Sequence, residues 1–175
     1  MAGIFVFGSE PERASEMIAC LHASGLRATV VTTGGQDAQD YRGIDCDEVV
    51  HVQGGNPLPE AYAGDIARLL EERQARAFVV CGDATGRDVA ARVAGLFDAP
   101  MLSDVSDVRF DNAGLSAQRL AYGGAVVRRE RVEGFAVLGI APGAWTPLDA
   151  VHILLLCCPA GHPPHRETIF HGRMP

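Results

Sequence analysis

Residues 77–98, AFVVCGDATGRDVAARVAGLFD, join an uninterrupted apolar run to a small-residue turn and then to an amphipathic pattern. The run at residues 77–82 predicts a strand that is covered on both faces. Apolar side chains recur at helical spacing in residues 85–98, which predicts a helix with one buried face. The positions expected to face inward are Val89, Val93, Leu96 and Phe97.

The same strand-and-helix unit is repeated through the first hundred residues. Apolar or β-branched runs predict three further strands, at residues 3–8, 27–33 and 47–52. Helical patterns begin at Pro11 and after Pro59, since proline is favoured at the first position of a helix. Alternating strands and helices with short connections require a parallel sheet with crossover helices. This half is therefore predicted to be a doubly wound α/β unit.

Beyond Pro100 the helical period disappears and strand-like segments follow one another between turn signals. We expect these segments to extend or flank the sheet as an antiparallel section, in which the alternating apolar and charged residues of 125–131 leave one face wet. The segments are residues 104–110, 115–122, 125–131 and 135–140. One more buried strand is predicted within residues 150–158. The predicted fold class is α/β, with a three-layer, doubly wound, mostly parallel sheet.

Composition indicates an ordinary globular protein. The chain has 175 residues, 47% hydrophobic and 21% charged, which suffices for a core without metals or cross-links. Its net charge of −7, with no basic cluster, argues against a nucleic-acid partner. Five cysteines, an odd number, fit a reducing cytoplasm. Neither a secretory signal nor an apolar run of membrane length is present, so we expect a cytoplasmic chain without membrane contact.

The chain is expected to divide into one domain, residues 1–158, and a flexible tail, residues 159–175, which contains four prolines and three histidines. A zinc site is the alternative for the tail, because imidazole and thiolate are zinc ligands. Its ligands would come from His162, His165, His171, Cys157 and Cys158. The spacing matches no common zinc motif, so no metal is predicted.

No residue set points to catalysis. Cys81 lies at the end of a predicted core strand, where a buried, inert thiol is expected. No Gly-x-Ser-x-Gly elbow occurs in the sequence. We therefore assign no catalytic residue and favour a non-catalytic role.

The turn between the strand at 77–82 and the following helix is the candidate site for a nucleotide or another anion. Unpaired N–H groups and the helix dipole favour negative charge there, and carboxyl ends of parallel strands are where ligands gather. The candidate residues are Gly8, Ser9, Gly82, Asp83, Thr85, Gly86 and Arg87. The alternative is purely structural: the turn residues cap the helix, Thr85 among them, and Arg87 pairs with Asp83 or Asp88. The spacing is neither a Walker loop nor a dinucleotide fingerprint.

Three segments in order resemble the N-terminal domain of electron transfer flavoprotein α subunits. Residues 82–108 are similar to the family's Gly-Arg-Asp helix followed by an acidic Asp-Val strand. RLAYGGAV, residues 119–126, is similar to its Arg-x-x-Tyr-Ala-Gly-Asn-Ala segment, and APGAW, residues 141–145, to Arg-Pro-Gly-Ala-Phe. Ala141 stands where the family usually has arginine, and the usual Gly-Asn pair is also changed.

The resemblance implies a fold of the adenine nucleotide α-hydrolase type and a scaffold and subunit-interface role in flavin-linked electron transfer. The family's flavin contacts lie mostly in a second α-subunit domain, so we expect no tightly bound cofactor here, with FAD or AMP held through a partner or at low affinity. The expected partner is a second copy or a β-subunit-like protein. The implied interface residues are Arg119, Tyr122, Gly123 and Gly124. The alternative is an adenine-nucleotide-binding protein or a nucleotide-using enzyme of the same α/β group.

Overall fold

The computed structural model describes residues 3–111, 114–146 and 155–159. The parallel half contains four strands and three helices in alternation. They are β1 (Ile4–Phe7), α1 (Pro11–Ala23), β2 (Thr29–Thr33), β3 (Glu48–Gln53), α2 (Ala63–Glu72), β4 (Ala77–Cys81) and α3 (Ala84–Phe97). Short 3-10 helices lie at Ala38–Tyr41 and Pro59–Tyr62. The later strands are β5 (Met101–Asp111), β6 (Gly114–Ala121), β7 (Val126–Val132), β8 (Ala136–Ile140) and β9 (Leu155–Pro159).

The strands of the described residues form one sheet in the order β7-β6-β5-β8-β4-β1-β2-β3-β9. Neighbours are parallel except around β6, which is antiparallel to both β5 and β7. The predicted fold class, a mostly parallel α/β sheet with an antiparallel section, is confirmed.

The predicted place of residues 135–140 in the sheet is wrong. Residues 135–140 are expected in the antiparallel section, but β8 lies in the middle of the sheet, parallel to β4 and β5. All five of its residues are buried, because helices or core side chains cover both of its faces. A strand buried on both faces has to be apolar throughout, and AVLGI is.

The helices divide between the two faces of the sheet, which makes three layers. Met17, Ile18 and Leu21 of α1 pack on one face with Val6 and other strand residues. On the other face, α2 and α3 cover Phe7, Val31, Phe78 and Val80. Each fully buried phenylalanine stabilises the fold by about 2–3 kcal/mol.

Helix α3 buries a slightly different stripe from the predicted one. Val89 and Val93 are buried as expected, but Leu96 is 61% exposed and Phe97 is half-buried. The inward stripe runs instead through the small residues Gly86, Val89, Ala90, Val93 and Ala94. Leu96 lies at the margin of this stripe in the last turn, so it misses the sheet.

The strand predicted within residues 150–158 is present as β9, beside β3. The predicted tail at 159–175, with its histidines, lies almost wholly outside the described residues. Of the helices described, none combines the length and apolar character that crossing a membrane requires.

Candidate functional site

The carboxyl ends of β1 and β4 meet where the sheet changes its winding direction. From β1 the chain passes through α1 to β2 on one side, whereas from β4 it passes through α3 toward β5 on the other. The turns after these two strands therefore lie side by side at a topological switch point, the usual position of a ligand in open α/β sheets. Ser9 follows β1 and Asp83 follows β4, so the structure brings both predicted turns together.

A hydrogen bond joins the two turns. The Ser9 hydroxyl donates to Asp83 Oδ2 at 2.8 Å, and Asp83 Oδ1 accepts from the backbone N–H of Gly86 at 2.7 Å. Asp83 is thus the N-cap of α3, in extended conformation. The expectation that Thr85 caps the helix is wrong, because the helix begins at Ala84 and Thr85 already lies in its first turn.

The glycines of the candidate site make room for the protein's own chain. A Cβ on Gly8 would come within 2.5 Å of the backbone nitrogen of Ala14 in α1, and one on Gly86 would overlap the carbonyl oxygen of Cys81. A Cβ on Gly82 would lie 2.9 Å from the carbonyl oxygen of Ile140 in β8. Close packing of strand and helix alone therefore accounts for glycine at all three positions.

Arg87 makes neither of its two expected contacts among the described residues. It is exposed, and no side-chain hydrogen bond or ion pair links it to Asp83 or Asp88 within the described residues. Asp88 pairs with Arg92 one helical turn later, with 3.3 Å between Oδ1 and Nε. The exposed guanidinium of Arg87 is thus accessible to a solvent-borne anion.

Gln36 holds the end of β1 from the side of β2. Its Nε2 donates to the carbonyl oxygens of Gly8 at 2.8 Å and Ser9 at 2.9 Å, and its Oε1 accepts from the N–H of Thr33 at 2.8 Å. The Tyr41 hydroxyl also donates to the Gly8 carbonyl at 3.2 Å. This network fixes the backbone on which Ser9 stands. Sequence reasoning missed it, because a glutamine in a glycine-containing loop carries no local signal.

Glu16 is a buried carboxylate that ties α1 to the turn at 141–145. Its Oε2 accepts a hydrogen bond of 2.9 Å from the N–H of Gly143, and its Oε1 one of 2.8 Å from Arg13. Trp145 of the same turn packs against the core. The one available signal is that Glu16 precedes Met17 and Ile18 on a buried stretch of helix, where a carboxylate needs partners.

The Cys81 thiol lies below the switch point and is buried, as expected. Burial is the main reason why its pKa is raised to about 11. The thiolate that a nucleophile or a metal ligand requires is therefore scarce at neutral pH. Among the described residues, no three His, Cys, Asp or Glu side chains come together as a metal site.

The turn after β4 is a poor fit for a phosphate. The Gly86 N–H, which a phosphate would use at the start of α3, already donates to the Asp83 carboxylate. A phosphate placed beside Asp83 would also face like charge. A flavin or nucleotide diphosphate would have to displace this cap, so the residues of this turn do not form a prepared pyrophosphate site.

The β6–β7 hairpin contains the predicted interface residues and extends the sheet away from the helices. Tyr122, Gly123 and Gly124 form its turn with positive φ angles of 52°, 66° and 92°. Four of the six large hydrophobic side chains that are exposed among the described residues cluster around this turn. They are Leu120 at 52% exposure, Tyr122 at 87%, Val126 at 48% and Val127 at 56%. We call these four residues the apolar tip.

Arg119 precedes Leu120 of the apolar tip on β6 and is far less exposed than the tip. It stands directly opposite Arg128 of β7, and its NH1 is 3.7 Å from Glu130 Oε1. The structure thus places the predicted interface residues on one hairpin, but Arg119 is separated from Tyr122 by a strand segment.

Together these observations define a class of protein: a doubly wound α/β domain in which a Ser9–Asp83 hydrogen bond spans the switch point and an antiparallel hairpin exposes an apolar tip. The sequence matches the Electron transfer flavoprotein domain family over residues 18–162, most of the chain. The chain therefore belongs to the electron transfer flavoprotein domain family.

A curated relative agrees with this family. The Escherichia coli (strain K12) protein named "Putative electron transfer flavoprotein subunit YdiR" is 24% identical over 147 residues, which cover 82% of this chain and 47% of that protein. The chain thus spans about half the length of the curated relative it matches.

Proposed function

We propose that this chain serves as the N-terminal scaffold domain of an α-type electron transfer flavoprotein subunit. In this role it docks onto a second subunit through the β6–β7 hairpin, while the flavin is held by residues outside the unit described here. The proposal includes a cytoplasmic location and no enzymatic activity of its own.

The apolar tip is the observation that carries the proposal. Single exposed hydrophobic residues are common on protein surfaces, but a cluster on a projecting hairpin marks an interaction surface. Tyr122 is of the residue type that dominates binding energy at interfaces. The closed switch point supports the second part, since Asp83 already accepts from the N–H that a phosphate would use.

Light scattering tests the docking role. The chain alone and the chain mixed with an electron transfer flavoprotein β-type subunit of the same organism are measured at micromolar concentration, and a complex or a dimer is expected. Val127→Glu should weaken association at least tenfold, because it buries a charge in the contact. Leu96→Glu is the matched control, since Leu96 is equally exposed but lies on α3. A chain that stays monomeric under both conditions would remove the docking role.

The cofactor part is tested by an absorption spectrum of the freshly purified chain. We expect no flavin bands, and a yellow preparation would contradict this part of the proposal.

A nucleotide-binding role is the second candidate, favoured by the free guanidinium of Arg87 at the start of α3. Calorimetry with AMP, ATP and FAD separates the two candidates. Saturable binding that Arg87→Ala abolishes would favour the nucleotide-binding role, and silence with all three ligands would remove it.

A further inference from the structure

The β6–β7 hairpin carries a like-charge pair two residue pairs from the end of its ladder at the turn. Arg119 and Arg128 are directly opposite across the two strands, an arrangement that destabilises a sheet when nothing compensates it. Among the described residues, the carboxylate that forms an ion pair with these two arginines is Glu130. Its Oε1 lies 2.7 Å from Arg128 Nε but 3.7 Å from Arg119 NH1, so it mainly neutralises Arg128.

Arg119 is left short of hydrogen-bond acceptors. Only 26% of its side chain is exposed, and its Nε is buried without a hydrogen-bond partner in the part of the chain that the structure describes. A guanidinium has five N–H donors, and donors that are withdrawn from water without acceptors destabilise the fold. The isolated chain thus leaves the Nε–H of Arg119 without an acceptor among the described residues.

We propose that Arg119 and Arg128 form a carboxylate-binding notch for an Asp or Glu side chain of a different chain, on the hairpin face that also carries Val126 of the apolar tip. The inference rests on the proposed docking role of the hairpin and adds the chemistry that the partner must present. A guanidinium binds a carboxylate with two parallel hydrogen bonds, which gives both charge and direction to the contact. A second carboxylate would balance the charge of the two arginines and would accept hydrogen bonds from the exposed part of the Arg119 guanidinium.

Charge favours a different chain over a second copy. Residues 119–132 contain four arginines against one glutamate, although the whole chain has a net charge of −7. A two-fold contact places the same patch of each copy face to face, so two hairpins would bring arginine against arginine. An acidic, apolar surface on another protein is complementary to this hairpin.

The notch is tested by titrating the chain with an electron transfer flavoprotein β-type subunit of the same organism in a calorimeter. Arg119→Met should weaken binding about thirtyfold or more, since the partner carboxylate would lose its hydrogen-bonded charge. Arg109→Met is the control. Arg109 is also an arginine of the antiparallel section, but it is 78% exposed, pairs with Asp107 and lies away from the notch. Its replacement should change the affinity less than about threefold. Equal affinities for wild type and Arg119→Met would overturn the notch.

Thermal unfolding of the isolated chain separates binding from folding. Arg119→Met should leave the Tm unchanged or raise it, because the variant removes a like-charge pair and a donor without an acceptor. A Tm that falls well below that of Arg109→Met would mean that Arg119 serves the fold itself, and the notch would be rejected.

A probe without the partner distinguishes failure of the notch from failure of the docking role. Acetate is added to chain labelled with ¹⁵N-arginine, and the side-chain Nε–H signals of Arg119 and Arg128 are expected to shift and saturate, unlike that of Arg109. If the β-type subunit does not bind wild-type chain, the docking role fails, and the acetate titration alone decides on the notch. If acetate causes no shift of these signals, the notch is rejected.

Self-association that Arg119→Met abolishes would identify a second copy as the occupant and overturn the assignment to a different chain.

Discussion

The hydroxyl of Ser9 donates a 2.8 Å hydrogen bond to the carboxylate of Asp83, across 74 residues of sequence. The bond joins the turn after β1 to the turn after β4 at the centre of the sheet. The same carboxylate caps α3 through the N–H of Gly86. One side chain therefore links the two halves of the doubly wound fold and neutralises a helix end that would otherwise attract an anion.

Asp83→Ala should lower the free energy of unfolding by about 1–2 kcal/mol, the usual effect of losing an N-cap, with a further loss because Ser9 no longer has its acceptor. Urea unfolding measures the difference. Asp88→Ala is the control, since Asp88 is exposed on the same helix and makes only a surface ion pair, and its effect should stay within about 0.5 kcal/mol. Equal losses for the two variants would contradict the capping role.

Replacing either of two glycines of α3 by alanine should change the free energy of unfolding, but in opposite directions at the two positions. Gly86→Ala would place a Cβ on the carbonyl oxygen of Cys81, so we expect a loss of about 2 kcal/mol or more. Gly95→Ala meets no atom within 4 Å and should instead raise the free energy of unfolding by about 0.5–1 kcal/mol through helix propensity. Thermal or urea unfolding of both variants checks the pair. If Gly86→Ala leaves the free energy of unfolding unchanged, close packing does not require glycine at this position.

The local part of the fold is predictable from sequence. The apolar run and the helical period of residues 77–98 place β4 and α3 within one residue of their observed ends, because both signals depend on near neighbours. The position of β8 is different, since its partner strands lie elsewhere in the chain. Its residues were predicted as a strand of the antiparallel section, because no local pattern states which strands flank it.

The candidate site was predictable only in part, because its contacts join residues that lie far apart in the chain. Residue type and position placed Ser9 and Asp83 in turns at strand ends, whereas their contact depends on the order of β1 and β4 in the sheet. Gln36 and Glu16 were missed, because a polar residue in a loop or helix does not show which backbone groups it will reach. The apolar tip was not predicted, since the pattern of residues 125–131 indicated a wet face of the hairpin and not exposed apolar side chains such as Val126 and Val127.

Cys20, Cys46 and Cys81 should resist alkylation in the folded chain. All are buried, and burial is the main cause that raises their pKa values to about 12, 11 and 11. Iodoacetamide at pH 8 followed by peptide mass spectrometry should find these positions unmodified in buffer and modified in urea. Modification of Cys81 in buffer at the rate of a free thiol would contradict its burial and reopen a chemical role for it.

His51 should make the stability depend on pH. Burial lowers the pKa of its imidazole, an effect that the nearby charge of Asp37 partly opposes, and its Nδ1 lies 2.8 Å from Thr32 Oγ1. As the pH falls below about 6.5, the unfolded chain takes up the proton before the folded chain does. The contribution of His51 is therefore complete above that pH and is lost as the pH falls through the lower pKa of the folded state. Urea unfolding between pH 7.5 and pH 5 should show a decline that is shallower in His51→Gln. An unchanged decline in this variant would assign the pH dependence to other groups.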